Sequence, residues 1–445
     1  MANLFGTDGV RGIANRQLTP ELAYRLGRAA GYVLAFQGKG DAGIVIGKDT
    51  RISGDMLEAA LTAGICSVGV NVYRLGIMPT PGVAYLTKVL NKEAGAVISA
   101  SHNPFGDNGI KFLGPGGSKL PDAVEGKIEA LVQDGGDLPY PTGADIGRVD
   151  QVDNAAEIYR QYAKSLFHGS LKGLKIVVDC SNGAASQITP QVLEGLGAEV
   201  ITIFAEPDGI NINRQCGSTY PEALQKKVLE EKADLGLAHD GDADRVLAVD
   251  EKGQLVDGDQ IMVIAALALK AQGLLAGNKV VVTVMSNLGL RKAMERAGIE
   301  VLETKVGDRY VLEKMQETGA ILGGEQSGHI IFLRQNNTGD GLITGLNLLQ
   351  VMVDSQKPLS VLAGQMERFP QVTVNVTVTD KEKVLKAQTV VEEIARVRER
   401  LEGRGRIVVR PSGTEPLIRL MAEGPDEKEL TELLDELAHT VMHAE

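Results

Sequence analysis

Tryptophan is absent, and aromatic residues make up only 4% of the 445 positions. The hydrophobic share of 43% is ample for large cores, so those cores must be mainly aliphatic. Basic residues are in deficit, with a formal net charge of -12. That excludes a general nucleic-acid binder, which needs a basic surface to neutralise backbone phosphates. A small anionic substrate stays open, because a few arginines converging in one cleft hold a phosphate inside an acidic protein. Cysteine is scarce: Cys66, Cys180 and Cys216 are far apart, odd in number and without a CxxC pair. A disulfide framework is excluded, and a reducing, cytoplasmic setting is expected. No stretch reaches the roughly 18 apolar residues needed to cross a bilayer, so no membrane partner is expected. The longest apolar run, Ile261 to Leu269, reads as a buried helix, and the opening MANLFGTDGVRG lacks an apolar stretch of signal-peptide type.

What is present begins with 53 glycines, which suit tight turns and close backbone approach to ligands. The length suggests roughly two to four domains. An internal repeat divides the chain further. Copies start at Gly43 (GIVIGKDTRISG…), Leu174 (LKIVVDCSNGAA…) and Asn278 (NKVVVTVMSNLG…). Each is a β-branched strand, a polar turn, an amphipathic helix ending near Gly and another strand, a βαβ pattern that predicts a mostly parallel sheet flanked by helices. In all three a further apolar run leads into a polar, Gly-rich loop: Ala94 to Pro104, Ala233 to Arg245 and Gly319 to His329. In open α/β sheets ligands sit outside the carboxyl ends of strands, so three similar domains would each present one loop to a shared site. From about Pro370 the pattern changes to strand, helix (Lys381 to Leu401), strand, RPSGTEP loop, strand and helix (Asp426 to His443), a small α+β unit. The expected architecture is three similar mixed-sheet α/β domains and a smaller α+β C-terminal domain around a central cleft, with boundaries 1–155, 156–255, 256–368 and 369–445.

The loops differ in chemistry. DGDADR places Asp240, Asp242 and Asp244 at alternate positions, and three carboxylates suit a hard cation such as Mg²⁺, Ca²⁺ or Mn²⁺. An EF-hand is rejected: although Glu251 falls at the twelfth position, the sixth is Arg245 rather than Gly, and VLAVD reads as a strand. ISASHNP sets Ser101 just past a strand. A Ser–His hydrolase is disfavoured there, because neighbouring side chains on an extended segment diverge and the G-x-S-x-G elbow is missing. RPSGTEP offers Arg410, Ser412, Gly413 and Thr414, with Arg419 nearby, as an anion-binding nest with added guanidinium. FGTDGVRG supplies Thr7, Asp8 and Arg11, GEQSGH supplies Glu325, Ser327 and His329, and NGIKF supplies Lys111.

Together and in this order, the motifs closely resemble the α-D-phosphohexomutase family, from Phe5 through Pro416. FGTDGVRG, the short ASHNP loop and GEQSGH are most similar to the branch that acts on glucosamine phosphates. The phosphomannomutase/phosphoglucomutase branch tends to carry Met where this chain has Gln326. The resemblance implies four domains around a cleft and an intramolecular phosphotransfer between the 6- and 1-positions of an amino sugar. Glucosamine 1,6-bisphosphate is then the intermediate and activator, and the product feeds UDP-N-acetylglucosamine and cell-wall synthesis. It further implies that Ser101 is the phosphoserine. One Mg²⁺ is held by Asp240, Asp242, Asp244 and the phosphorylated Ser101. Arg11, Lys111 and Arg245 surround the transferring phosphate, with His329 as a proton-transfer candidate. Glu325 and Ser327 grip sugar hydroxyls, while Arg410, Ser412, Gly413, Thr414 and Arg419 hold the distal phosphate. A sister mutase of glucose or mannose phosphates, a phosphoserine-type phosphatase and a non-catalytic sugar-phosphate sensor are the competing readings. The sequence admits a homodimer without specifying one.

Overall fold

A computed structural model describes residues 4–6, 8–36, 42–412 and 416–444. Its strands form four sheets. The first runs Val10–Ile13, Asp107–Leu113, Ala94–Ile98, Gly43–Lys48, Asn71–Ile77, Val149–Gln151 across its width. The second runs Leu255–Val256, Val246–Asp250, Leu235–His239, Lys175–Asp179, Glu199–Ile203, and the third Glu300–Thr304, Lys279–Thr283, Leu322–Gly324, Ile330–Phe332.

The same motif recurs in these three. A central strand (Gly43–Lys48, Lys175–Asp179 or Lys279–Thr283) pairs in parallel with a strand on each side. The third parallel strand then turns back into an antiparallel neighbour. The sheets are therefore mixed, as the fold class anticipated. Central strands such as GIVIGK are buried along their whole length, which the helices packed against parallel strands require. Helix starts are written locally. Thr19 accepts the Leu22 N–H ahead of Pro20–Leu34, and Asp257 and Gln260 form a reciprocal capping box at the start of Gly258–Ala271. That helix covers the apolar run from Ile261.

The fourth sheet is antiparallel, in the order Gln371–Thr377, Leu417–Glu423, Arg406–Pro411. The helix expected over Lys381 to Leu401 is broken at Ala387 into Lys381–Lys386 and Gln388–Leu401. Val384 and Val390 are both fully buried in the same core. On an unbroken helix, residues six apart stand about 120° from each other, so the break is what brings both inward.

Packing sets the fourth sheet region apart from the first three. One continuous apolar cluster joins Val45 and Val83 of the first sheet region, Ile176 and Val192 of the second, and Val282 and Met294 of the third. The C-terminal sheet and its helices have a core of their own, including Leu420 and Leu434. Inside the large cluster, the fully buried Tyr159 donates its hydroxyl to Asp340 Oδ2 at 2.7 Å, tying the helix Ala155–Ser165 to the turn that opens Gly341–Ser355. Tyr159→Phe should destabilise the protein by about 1.5–3 kcal/mol, the range for a bond to a charged acceptor, read as a lower unfolding midpoint in urea. An unchanged midpoint would show that this bond contributes nothing net.

Candidate active site

Each of the first three sheets delivers its chemistry from the same topological place, the turn between the third parallel strand and its antiparallel partner. In the first sheet the turn follows Ala94–Ile98 and carries Ser101, in the second it follows Leu235–His239 and carries the aspartates, and in the third it follows Leu322–Gly324 and carries Glu325 to His329. The three turns meet, Ser101 against Asp240 and His329 beside Asp244.

Ser101 is buried at 1% exposure, and its hydroxyl donates to Asp240 Oδ2 at 2.6 Å. It lies in the left-handed region, with φ of 52°. The segment is thus not extended there, and the expected divergence of Ser101 from His102 is corrected: His102 Nδ1 lies 3.4 Å from Ser101 Oγ. Burial, with Arg245 and Arg11 nearby, lowers the His102 pKa to about 4 and keeps the ring neutral.

Asp240, Asp242 and Asp244 place donor oxygens within 4.8 Å of one another, all buried. Asp242 Oδ2 accepts from Thr80 Oγ1 at 2.6 Å and from Lys111 Nζ at 3.0 Å. Asp242 Oδ1 and Asp244 Oδ1 are buried without a hydrogen-bond partner among the described residues. Orphaned carboxylate oxygens of this kind, at converging positions, fit a hard divalent cation. Burial, and then Asp244 and Asp242, hold the Asp240 carboxyl well above its usual range. Asp244 moves the other way: burial opposes ionisation, but hydrogen bonding from His329 and the charges of Lys111 and Arg245 outweigh it.

Lys111, on the strand Asp107–Leu113, stands 3.1 Å from Asp8 and 3.0 Å from Asp242. Burial disfavours its charge, but Asp242, Asp8 and Asp244 overcome that and keep it an ammonium. Arg11 pairs with Asp8, and the Arg245 guanidinium Nε stands 3.7 Å from Asp244 Oδ1. Two influences on His329 conflict. Burial opposes protonation, yet Asp244, and after it Asp308 and Glu325, raise the pKa to about 9. The Gly339 N–H, however, donates to Nε2 at 3.0 Å, which only the neutral ring allows. The hydrogen bond decides the tautomer: Nδ1 carries the proton and faces Asp244 Oδ2 at 3.5 Å.

A cleft of about 340 Å³ is lined by Asp8 and Arg11, Asp244 and Arg245, Glu325 and His329, and Arg410, Ser412 and Arg419. All four sheet regions contribute. Arg410 and Arg419 stand directly opposite on neighbouring antiparallel strands. Burial and the adjacent Arg419 lower the Arg410 pKa, as expected of like charges awaiting an anion. Ser327 is exposed and does not line this cleft. Thr7, Gly413 and Thr414 lie outside the described residues.

Sequence reasoning missed Thr80, Lys119 and Asp308. Lys119 bridges Asp308 at 2.6 Å and Asp8 at 3.1 Å, across the cleft between the first and third domains. Thr80 and Asp308 follow the second parallel strand of their repeats, Asn71–Ile77 and Glu300–Thr304. That shared position was the available signal.

Four family models match the chain in order: phosphoglucomutase/phosphomannomutase α/β/α domain I over residues 2–137, domain II over 157–253, domain III over 257–369 and the C-terminal domain over 374–440. A phosphoglucomutase/phosphomannomutase family protein from Burkholderia thailandensis has the same fold, with a TM-score of 0.83, 26% identity and coverage of 99% of this chain and 97% of that one. So does Aspergillus fumigatus N-acetylphosphoglucosamine mutase, solved with GlcNAc-6P and magnesium, with a TM-score of 0.66, 18% identity and coverage of 96% and 99%. Fold and site together define a phosphohexomutase. Phosphoglucosamine mutases of Desulforamulus reducens and Carboxydothermus hydrogenoformans are 62% and 64% identical, over 99% and 98% of both chains. The chain therefore belongs to the phosphoglucosamine mutases within the phosphoglucomutase/phosphomannomutase family.

The triad makes a direct prediction. Mn²⁺ titration followed by electron paramagnetic resonance should show one site per chain, and Asp242→Asn should weaken it about tenfold or more by removing one anionic donor. Wild-type affinity in that variant would refute the assignment.

Proposed function

We propose that the chain interconverts glucosamine 6-phosphate and glucosamine 1-phosphate by way of phosphorylated Ser101 and glucosamine 1,6-bisphosphate. The observation that carries this is the convergence of four domains on one cleft, with a serine bonded to an acidic triad on one side and two opposed arginines on the other. The amino sugar is supported by relatives named phosphoglucosamine mutase at 54–64% identity.

The chemistry balances in two transfers. The sugar 1-hydroxyl attacks the phosphorus on Ser101, the Ser101 Oγ–P bond breaks, the hydroxyl proton is passed to the departing Oγ, and the 1,6-bisphosphate forms. The sugar turns end for end. Ser101 Oγ then attacks the 6-phosphate, whose bond to the sugar oxygen breaks, the serine proton is passed to that oxygen, and glucosamine 1-phosphate leaves a rephosphorylated serine. Such transfers depend on alignment and charge neutralisation. Lys111, Arg11 and Arg245 would neutralise the phosphoryl oxygens in flight. Arg410, Arg419 and Ser412, with Gly413 and Thr414, would hold whichever phosphate is not reacting. Glu325, which lines the cleft, would take sugar hydroxyls and the ammonium, whereas the exposed Ser327 would not reach the sugar. His329, with both ring nitrogens engaged, would set the orientation of Asp244. Mg²⁺ is the proposed ion, held by Asp240, Asp242, Asp244 and a phosphoserine oxygen, and it would supply further charge neutralisation of the phosphoryl group when bound. The separate C-terminal core allows that domain to open for the turn and close again. The three free cysteines fit the cytoplasm as the place of action, and the product would serve UDP-N-acetylglucosamine and cell-wall synthesis.

Ser101→Ala should lower kcat by roughly three orders of magnitude or more in a 6-phosphate to 1-phosphate assay primed with bisphosphate. Intact-mass analysis should locate one phosphate on wild-type Ser101; near-normal turnover without the serine would end this proposal. Substrate choice is tested by competition. Glucosamine 6-phosphate should exceed glucose and mannose 6-phosphates in kcat/KM, and Glu325→Gln should narrow that margin by about 10- to 150-fold, the worth of a differential polar contact. A better rate on glucose or mannose phosphate would assign the sister activity instead.

A further inference from the structure

The turn that carries Ser101 is held by an apparatus outside the cleft. A serine at φ of 52° is uncommon and needs its surroundings to keep it there. Four of the turn's carbonyls converge on the buried guanidinium of Arg51. Its Nη2 donates to Ser101 O at 2.9 Å and to Asn103 O at 2.8 Å. Its Nη1 donates to Asp107 O at 3.1 Å and also to Pro104 O. Arg51 Nε donates to Asp49 Oδ2 at 2.8 Å, the same oxygen that takes the Ser99 hydroxyl at 2.6 Å. Ser99 Oγ in turn accepts the Ser101 N–H at 2.9 Å. Amide and carbonyl of Ser101 are thus both fixed through one Asp49–Arg51 unit.

A second donor arrives from the next domain. Asn213 Nδ2 donates to Ser101 O at 2.8 Å and to Asn103 O at 2.9 Å, the two carbonyls that Arg51 Nη2 already serves. Asn213 is itself held, its Oδ1 accepting from Ser181 Oγ at 2.7 Å and its N–H donating to Ser181 O at 3.0 Å. A carbonyl oxygen has two lone pairs, and here one faces Arg51 and the other Asn213. Gly241, beside Asp240, completes the fit: a Cβ there would meet Ser101 O at 2.6 Å.

We propose that Arg51 and Asn213 are positioning residues for the phosphate transfer. Between them they clamp the Ser101 turn from two domains, so that Oγ faces the aspartate triad only when the second domain is docked on the first. This rests on Ser101 being the phosphate carrier. Neither side chain lines the cleft, so neither touches substrate. The planar fork of arginine reaches four carbonyls, which the single ammonium of lysine does not, so R51K keeps the charge beside Asp49 but loses the clamp.

The test compares full-length wild type, R51K and N213A. Phosphate transfer from glucosamine 1,6-bisphosphate to Ser101 is followed by intact mass, kcat and KM by turnover of glucosamine 6-phosphate, Mn²⁺ affinity by titration, and backbone opening by amide hydrogen exchange in the peptide spanning residues 99–109. Misplacing a reacting group by about 1 Å costs on the order of 100-fold, so kcat should fall about 100-fold in R51K and about tenfold in N213A. KM and the Mn²⁺ affinity of the dephosphorylated protein should stay near wild type, and exchange should quicken in that peptide while the sheets stay protected. Wild-type kcat in N213A, or a lost kcat with unchanged exchange in the turn, would overturn the proposal. If R51K does not fold, N213A decides alone. If wild type takes no phosphate at Ser101, the functional reading fails, and exchange by itself judges the clamp: faster in the variants supports it, unchanged refutes it.

Discussion

Three carboxylates with oxygens inside 4.8 Å repel one another, and the chain folds around that repulsion. Two unit charges at about 4 Å interact by about 4 kcal/mol at an effective dielectric near 20, so three cannot be gathered in a buried place without compensation. The compensation is drawn from separate parts of the chain. Lys111 and Thr80 arrive from the first domain, Arg245 follows the triad in its own loop, and His329 comes from the third. The acidic site is complete only where the three domains meet. The oxygens left without a hydrogen-bond partner among the described residues, Asp242 Oδ1 and Asp244 Oδ1, are the share of that charge a divalent cation would take.

The fourth domain stands apart from this arrangement. Its core shares no buried residue with the cluster that joins the other three. Polar contacts anchor it: Arg406 pairs with Glu423 and donates to Val284 O at 3.0 Å and to Ser286 O. Three domains joined by one core, with a fourth held by polar contacts, suit a reaction in which the sugar must release one phosphate grip and return reversed. The opposed Arg410 and Arg419 belong to this fourth domain.

Much of this was legible in the chain because it is encoded locally. β-Branched strands and helices ending near glycine recur three times, and each recurrence folds into the same sheet motif. DGDADR reads as a cation site because its three carboxylates are neighbours in sequence. What escaped was long-range or conformational. Thr80 and Asn213 are ordinary residues until a neighbouring domain brings Asp242 and Ser101 against them. The left-handed turn at Ser101, imposed by Arg51 and Asn213, is why the expected divergence of Ser101 and His102 did not hold. The break at Ala387 was hidden for a related reason: helix propensity favours continuation, and only the shared burial of Val384 and Val390 opposes it.

The central claim is that phosphate passes through the protein twice, with the sugar reversed between. A single-turnover experiment tests it most directly. Unlabelled phosphoenzyme is mixed with a limiting amount of glucosamine 6-phosphate carrying ³²P, and product and protein are separated after one turnover. The account predicts unlabelled glucosamine 1-phosphate and radioactive Ser101, because the phosphate gained at position 1 comes from the serine and the one lost from position 6 returns to it. Label retained in the 1-phosphate, with none on the protein, would contradict it.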